Sequence, residues 1–130
     1  MIVDASALLA ILLSEPERTA LEEKLAQSPA PRMSAGTFLE ASIVVDSRLD
    51  PVTTRLFDDL IASSGVIIEP VTYEQALIAR QAYRDFGRGS KSAARLNFGG
   101  CFSYALAKSR DEPLLFKGDD FIHTDIRPAR

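Results

Sequence analysis

Tryptophan is absent from this chain, and cysteine and histidine occur once each, as Cys101 and His123. A single thiol permits no internal disulfide, so nothing points to an oxidising compartment. A lone histidine in a polar C-terminal turn and a lone cysteine among apolar residues make no Ser-His-Asp or Cys-His arrangement for nucleophilic catalysis. Long hydrophobic runs are missing too. The longest wholly apolar stretch, Ala7–Leu13, falls far short of a membrane span. Met1-Ile2-Val3-Asp4 places an acid where a secretory leader would carry Lys or Arg. There is no repeat, low-complexity tract or linker. The remainder is ordinary: 130 residues, 46% apolar and 25% charged, the composition of one globular domain over residues 1–130. A cytoplasmic protein with no membrane association is the expectation.

The net charge of −3 conceals an asymmetry. Residues 1–79 hold five Lys/Arg against twelve Asp/Glu, giving −7, whereas residues 80–130 hold ten against six, giving +4. Arg80, Arg84, Arg88, Lys91 and Arg95 crowd one segment, opposed only by Asp85. They read either as a solvated helix end, with cations favoured at its C-terminus, or as a lip for a polyanion. Gly87 and Gly89 are expected to end the helix before Arg88 joins its face.

Short apolar strands alternate with helical patterns. Met1–Asp4 reads as a buried parallel strand, and Ala5–Leu13 as a helix apolar nearly all round. Ser14-Glu15-Pro16-Glu17 has the form of a capping box and predicts a second helix to about Ala26. Arg32–Ser34 predicts a strand, followed by a helix through Phe38, Leu39, Ile43 and Val44. Asp50-Pro51 starts a helix that Gly65 ends. Val66–Pro70 has the strongest strand composition in the chain. Thr72 and Asn97 cap two more helices, the second carrying Phe98, Cys101, Phe102, Ala105 and Leu106. Leu114–Phe116 is a strand, and Asp125-Ile126 a fragment of a last one. The fold class is α/β, a parallel sheet of four to five strands covered by helices on both faces.

In such a sheet ligands gather at the carboxyl ends of the strands. Asp4 closes the first strand, and Asp119-Asp120 follow the last clear one after the Lys117-Gly118 turn. Glu40 sits within the otherwise apolar stretch Phe38–Val44, where an unpartnered carboxylate is costly. Carboxylates that meet in one pocket repel unless a cation lies between them, and hard ions such as Mg²⁺ or Mn²⁺ suit oxygen ligands. Each acid also has a plainer role: Asp4 as a helix cap, Glu40 closing a capping box begun by Thr37, and Asp119-Asp120 as a solvated turn.

The opening Met-Ile-Val-Asp-Ala-Ser-Ala-Leu, then Phe38-Leu39-Glu40, Arg95-Leu96-Asn97-Phe98-Gly99, Cys101–Ala107 and Leu114–Phe121 resemble the PIN-domain ribonucleases, in particular VapC-type toxins of toxin–antitoxin pairs. The resemblance runs end to end and implies a Rossmann-like three-layer fold and a metal-dependent endoribonuclease of the cytoplasm. It implies catalytic carboxylates at Asp4, Glu40 and Asp119, with Ser6 and Asp120 in support and Mg²⁺ or Mn²⁺ as cofactor. Asp119 and Asp120 differ by one residue of offset, and both stay in play. The basic residues Arg84, Arg88, Lys91 and Arg95 become the expected RNA lip.

One position departs from the family. Where Gly-Asp-Cys-Phe is expected, this chain reads Gly99-Gly100-Cys101-Phe102, so Gly100 stands where a main metal ligand belongs. A glycine also weakens a helix by roughly 1 kcal/mol relative to alanine. Gly100 therefore reads as an inactivating change: selected against toxicity, introduced on purpose, or a natural degeneration of the site. A PIN-fold module that binds RNA or antitoxin without cleaving is the alternative function. A phosphoacceptor receiver-like domain, with Lys117 as its lysine, ranks behind both. The expected partners are RNA, a VapB-type antitoxin and a second copy in a homodimer, with Ala5–Leu13 and the acidic Glu15–Glu23 as the binding face.

Overall fold

The computed structural model describes residues 1–129. The elements follow in the order β1 (Ile2–Val3), α1 (Ala5–Leu12), α2 (Arg18–Gln27), β2 (Arg32–Ser34), α3 (Ala35–Asp46), α4 (Pro51–Ser64), β3 (Ile67–Glu69), α5 (Tyr73–Phe86), α6 (Phe98–Arg110) and β4 (Leu114–Leu115). The four strands form one parallel sheet in the order β3-β2-β1-β4. Ile2 pairs with Arg32 on one side and Leu114 on the other. From β1 the chain steps outward to β2 and β3, then returns to the opposite side as β4. The reversal opens a crevice between β1 and β4 at their carboxyl ends.

Strand periodicity divides the core. Val3 and Leu115 face a cluster with Leu8, Ile11, Met33 and Phe57, whereas Ile2 and Leu114 face one with Leu96, Tyr104, Leu106 and Phe121. Adjacent strand residues point to opposite faces, so a two-residue strand can serve both layers. Several helix starts match their local chemistry. Asp50 caps α4 through the Val52 N–H, with Pro51 at the first helical position, and Gly65 ends the helix at φ +69°. Thr72 caps α5 and Asn97 caps α6.

Four expectations need correction. The Ser14–Glu17 box does not form: α2 begins at Arg18 with no side-chain cap. Ser14 takes φ +55° and accepts from Arg18 Nη1, and Glu15 is drawn to Lys117 instead. Thr37 opens no box with Glu40, because Ser34 caps α3 and Thr37 is fully buried. Asp125-Ile126 is not strand. The chain bridges β4 later, at Pro128, which pairs in parallel with Leu114, while Asp125 accepts from the Tyr104 hydroxyl and Lys108. Finally, α1 offers no open face: Ala5, Ala7, Leu8, Ala10 and Ile11 are buried against α2, α3 and α4. Conversely, the strongest strand by composition is the edge strand β3, whose Ile67 and Ile68 are exposed. None of the described helices is long and apolar enough to cross a membrane.

Candidate active site

β1 stops at Asp4 because its carboxylate turns the chain into α1. Oδ2 accepts from the Ser6 N–H at 3.1 Å and the Ser6 hydroxyl at 2.7 Å. The residue that caps α1 is thus only 7% exposed. Oδ1 accepts from Ser103 of α6 at 2.5 Å. Across the crevice, Glu40 projects from α3 and is half-buried. Loss of water, and then the like charge of Asp4, push its carboxyl above the usual carboxylate range.

Asp4, Ser6, Glu40, Asn97, Gly100 and Asp120 line a cleft of about 220 Å³. Asp119 does not line it, whereas Asp120 does. Gly118 turns the chain at φ +96°, and Asp119 begins a turn with its carbonyl accepting from the Ile122 N–H. That leaves Asp119 in solvent and brings the next residue to the cleft. The Lys117 N–H donates to Ser6 Oγ at 3.0 Å and ties this loop to the Asp4 corner. The Lys117 ammonium pairs with Glu15 and Glu17, not with Asp4, which removes the lysine a receiver-like site would need.

Gly100 is better suited to its place than its helix propensity implies. It lies in the first turn of α6, and its N–H donates to Asn97 Oδ1 at 2.7 Å. A Cβ at this position would lie 2.7 Å from Leu96 Cδ1, so a buried leucine already fills the space. Neighbouring Gly99 is occupied from the other side, by the Glu40 carboxylate.

The donors are hard carboxylate oxygens, which fit Mg²⁺ or Mn²⁺ with retained waters. The fit is incomplete: among the described residues, no three His, Cys, Asp or Glu side chains lie close enough to hold an ion. Arg84, in the last turn of α5, and Arg88, Lys91 and Arg95, in the following loop, are all exposed. The loop is pinned at its neck, where Arg88 N–H donates to Leu96 O and Leu96 N–H to Phe86 O. It leads directly to Asn97 at the cleft. Cys101 is buried and its thiol is pushed up by desolvation, as suits a packing residue. His123 is exposed outside the cleft. Sequence reasoning missed Ser103 and Thr37. The available signal was spacing, since Ser103 follows Gly100 by three residues and Thr37 precedes Glu40 by three.

A parallel three-layer domain with carboxylates at the switch point of its sheet is the arrangement of a PIN domain. The chain belongs to that family: the PIN domain model matches residues 1–127. Within the family it stands with the VapC ribonucleases. Ribonuclease VapC28 of Mycobacterium tuberculosis is 53% identical over 129 residues, covering 99% of this chain and 97% of that protein. Ribonuclease VapC42 of the same species is 51% identical, covering 99% and 98%. Ribonuclease VapC of Mycolicibacterium smegmatis is 44% identical, covering 97% of each. Relatives named as ribonucleases do not favour a non-catalytic module. The crystal structure of M. tuberculosis VapC20, described as a sarcin-ricin loop cleaving toxin, superposes with a TM-score of 0.69 at 19% identity, covering 98% of both chains. That likeness establishes the fold.

Proposed function

We propose that this chain is a divalent-metal-dependent endoribonuclease toxin, paired with a VapB-type antitoxin, whose activity is impaired at Gly100. The observation that carries this reading is the meeting of Asp4 and Glu40 in one cleft at the carboxyl ends of β1 and β4, with Asp120 also lining it. Asp4 and Glu40 would supply the first oxygens to Mg²⁺ or Mn²⁺, with Asp120 as the further carboxylate lining the cleft, and the ion would supply an activated water and charge stabilisation at an RNA phosphodiester. Asp4 contributes a carboxylate already oriented by Ser6. Glu40 contributes a second negative charge whose repulsion with Asp4 is relieved by a cation between them. Arg84, Arg88, Lys91 and Arg95 would draw the phosphate backbone toward the cleft.

For a protein partner, antitoxin or second copy, support lies in the exposed Leu39, Ile43 and Phe98 on α3 and α6 instead of in α1. Gly100 removes the carboxylate that a PIN nuclease is expected to place at the start of α6. The test compares the parent chain, Gly100→Asp and Gly100→Asp with Asp4→Asn for RNA cleavage with and without Mg²⁺ or Mn²⁺. Cleavage by Gly100→Asp alone, abolished by chelation, is the expected result. No cleavage by any of them would overturn the nuclease reading.

A further inference from the structure

A buried chain of hydroxyls stands behind Asp4. Ser103 Oγ, which donates to Asp4 Oδ1, lies 3.0 Å from Thr37 Oγ1. An ionised carboxylate only accepts hydrogen bonds, so the Ser103 proton points to Asp4 and Thr37 must donate to Ser103. The direction Thr37 to Ser103 to Asp4 is thereby fixed. Both hydroxyl residues are 0% exposed. Inside a helix such hydroxyls usually bond back to a carbonyl one turn earlier. Here both are turned instead toward the first acid, and the chain joins α3, α6 and the end of β1. Thr37 shares a helix face with Glu40, and Ser103 shares one with Gly100, since each pair is three residues apart.

We propose that Ser103, itself set by Thr37, is the positioning residue that fixes the Asp4 carboxylate to receive a divalent cation. The first turn of α6 offers no side-chain oxygen at Gly100, and the helix acts on Asp4 through Ser103 one turn later. The proposal rests on the metal-nuclease reading above. It also sets the mode of binding. A carboxylate has about four lone-pair directions. Ser6 N–H, Ser6 Oγ and Ser103 Oγ occupy three of them. Asp4 then meets the cation through one oxygen.

The test reads Asp4 directly. In metal-free full-length protein carrying ¹³C-labelled aspartate, the Asp4 carboxyl resonance is assigned by its loss in Asp4→Asn. Ser103→Ala shifts and broadens it, Thr37→Val moves it less, and Thr37→Ser leaves it in place. Calorimetric titration with Mn²⁺, in the parent and with Gly100→Asp, shows affinity falling roughly tenfold or more in Ser103→Ala and unchanged in Thr37→Ser. An Asp4 resonance unmoved by Ser103→Ala overturns the proposal. If Ser103→Ala does not fold, the Thr37 pair decides: identical spectra for Val and Ser overturn it equally. A separate outcome strikes the underlying reading: Mn²⁺ binding unaffected by Asp4→Asn removes the metal centre, and with it the cation-receiving role of Ser103.

Discussion

The Glu40 carboxylate lies against the bare Cα of Gly99: a methyl group on residue 99 would collide with Glu40 Oε2. No carboxylate tolerates that approach, but Glu40 sits at the end of a flexible stem and can swing aside. Gly99→Ala is therefore expected to separate folding from function. Stability stays level or rises by up to about 1 kcal/mol, because alanine favours the helix. Mn²⁺ affinity, measured by calorimetry with Gly100→Asp present, falls roughly tenfold or more as Glu40 leaves the cleft.

Gly100→Asp and Gly100→Ala both drive a Cβ toward Leu96, which is fully buried. Both are expected to lose about 1 kcal/mol or slightly more from overpacking, about 4 °C in Tm. Alanine does not simply repair the helix here. Only the aspartate variant gains divalent-dependent cleavage of RNA, and equal activity in both would locate the defect in packing and not in the missing oxygen.

Asp119 and Asp120 are adjacent in sequence but only Asp120 lines the cleft. In the Gly100→Asp background, Asp120→Asn is expected to lower cleavage at least tenfold, whereas Asp119→Asn stays within about twofold of its parent. Initial rates at saturating Mn²⁺ distinguish them.

The pH dependence of stability follows from Glu40. Its folded-state pKa lies above the unfolded value of 4.5, so the native state holds its proton more tightly. Stability from this group is fully present below pH 4.5 and is lost as pH rises through the higher folded-state pKa. Glu40→Gln abolishes that loss. In metal-free protein its Tm exceeds the parent's at pH 7, and the difference closes below pH 4.5.

Arg84, Arg88 and Lys91 carry exposed charge at the end of α5 and in the loop leading to the cleft. Their joint replacement by alanine is expected to weaken single-stranded RNA binding. The slope of log K against log salt should become shallower by about 2, at roughly 0.7 for each phosphate that is no longer neutralised. An unchanged slope in a filter-binding or anisotropy titration removes these residues from the RNA path.

The α/β class, the helix starts at Asp50, Thr72 and Asn97, and the placement of Asp4 at a strand end were legible in the sequence, because each depends on residues within a few positions of one another. Glu40 stood out for a similar reason, an acid within an apolar stretch. The tertiary structure alone decided the rest. One residue of offset in the turn after Gly118 decides that Asp120, and not Asp119, faces the cleft. Burial of α1 under α2, α3 and α4 removes the face its apolar sequence had implied. Leu96 fills the space over Gly100, a contact that helix propensity does not register. Ser103 and Thr37 stand at helical spacing from Gly100 and Glu40, but their bearing on Asp4 arises only where α3 and α6 pack together at the end of β1. Local patterns specify elements; long-range packing specifies which side chains meet, and the chemistry of this cleft belongs to the second kind.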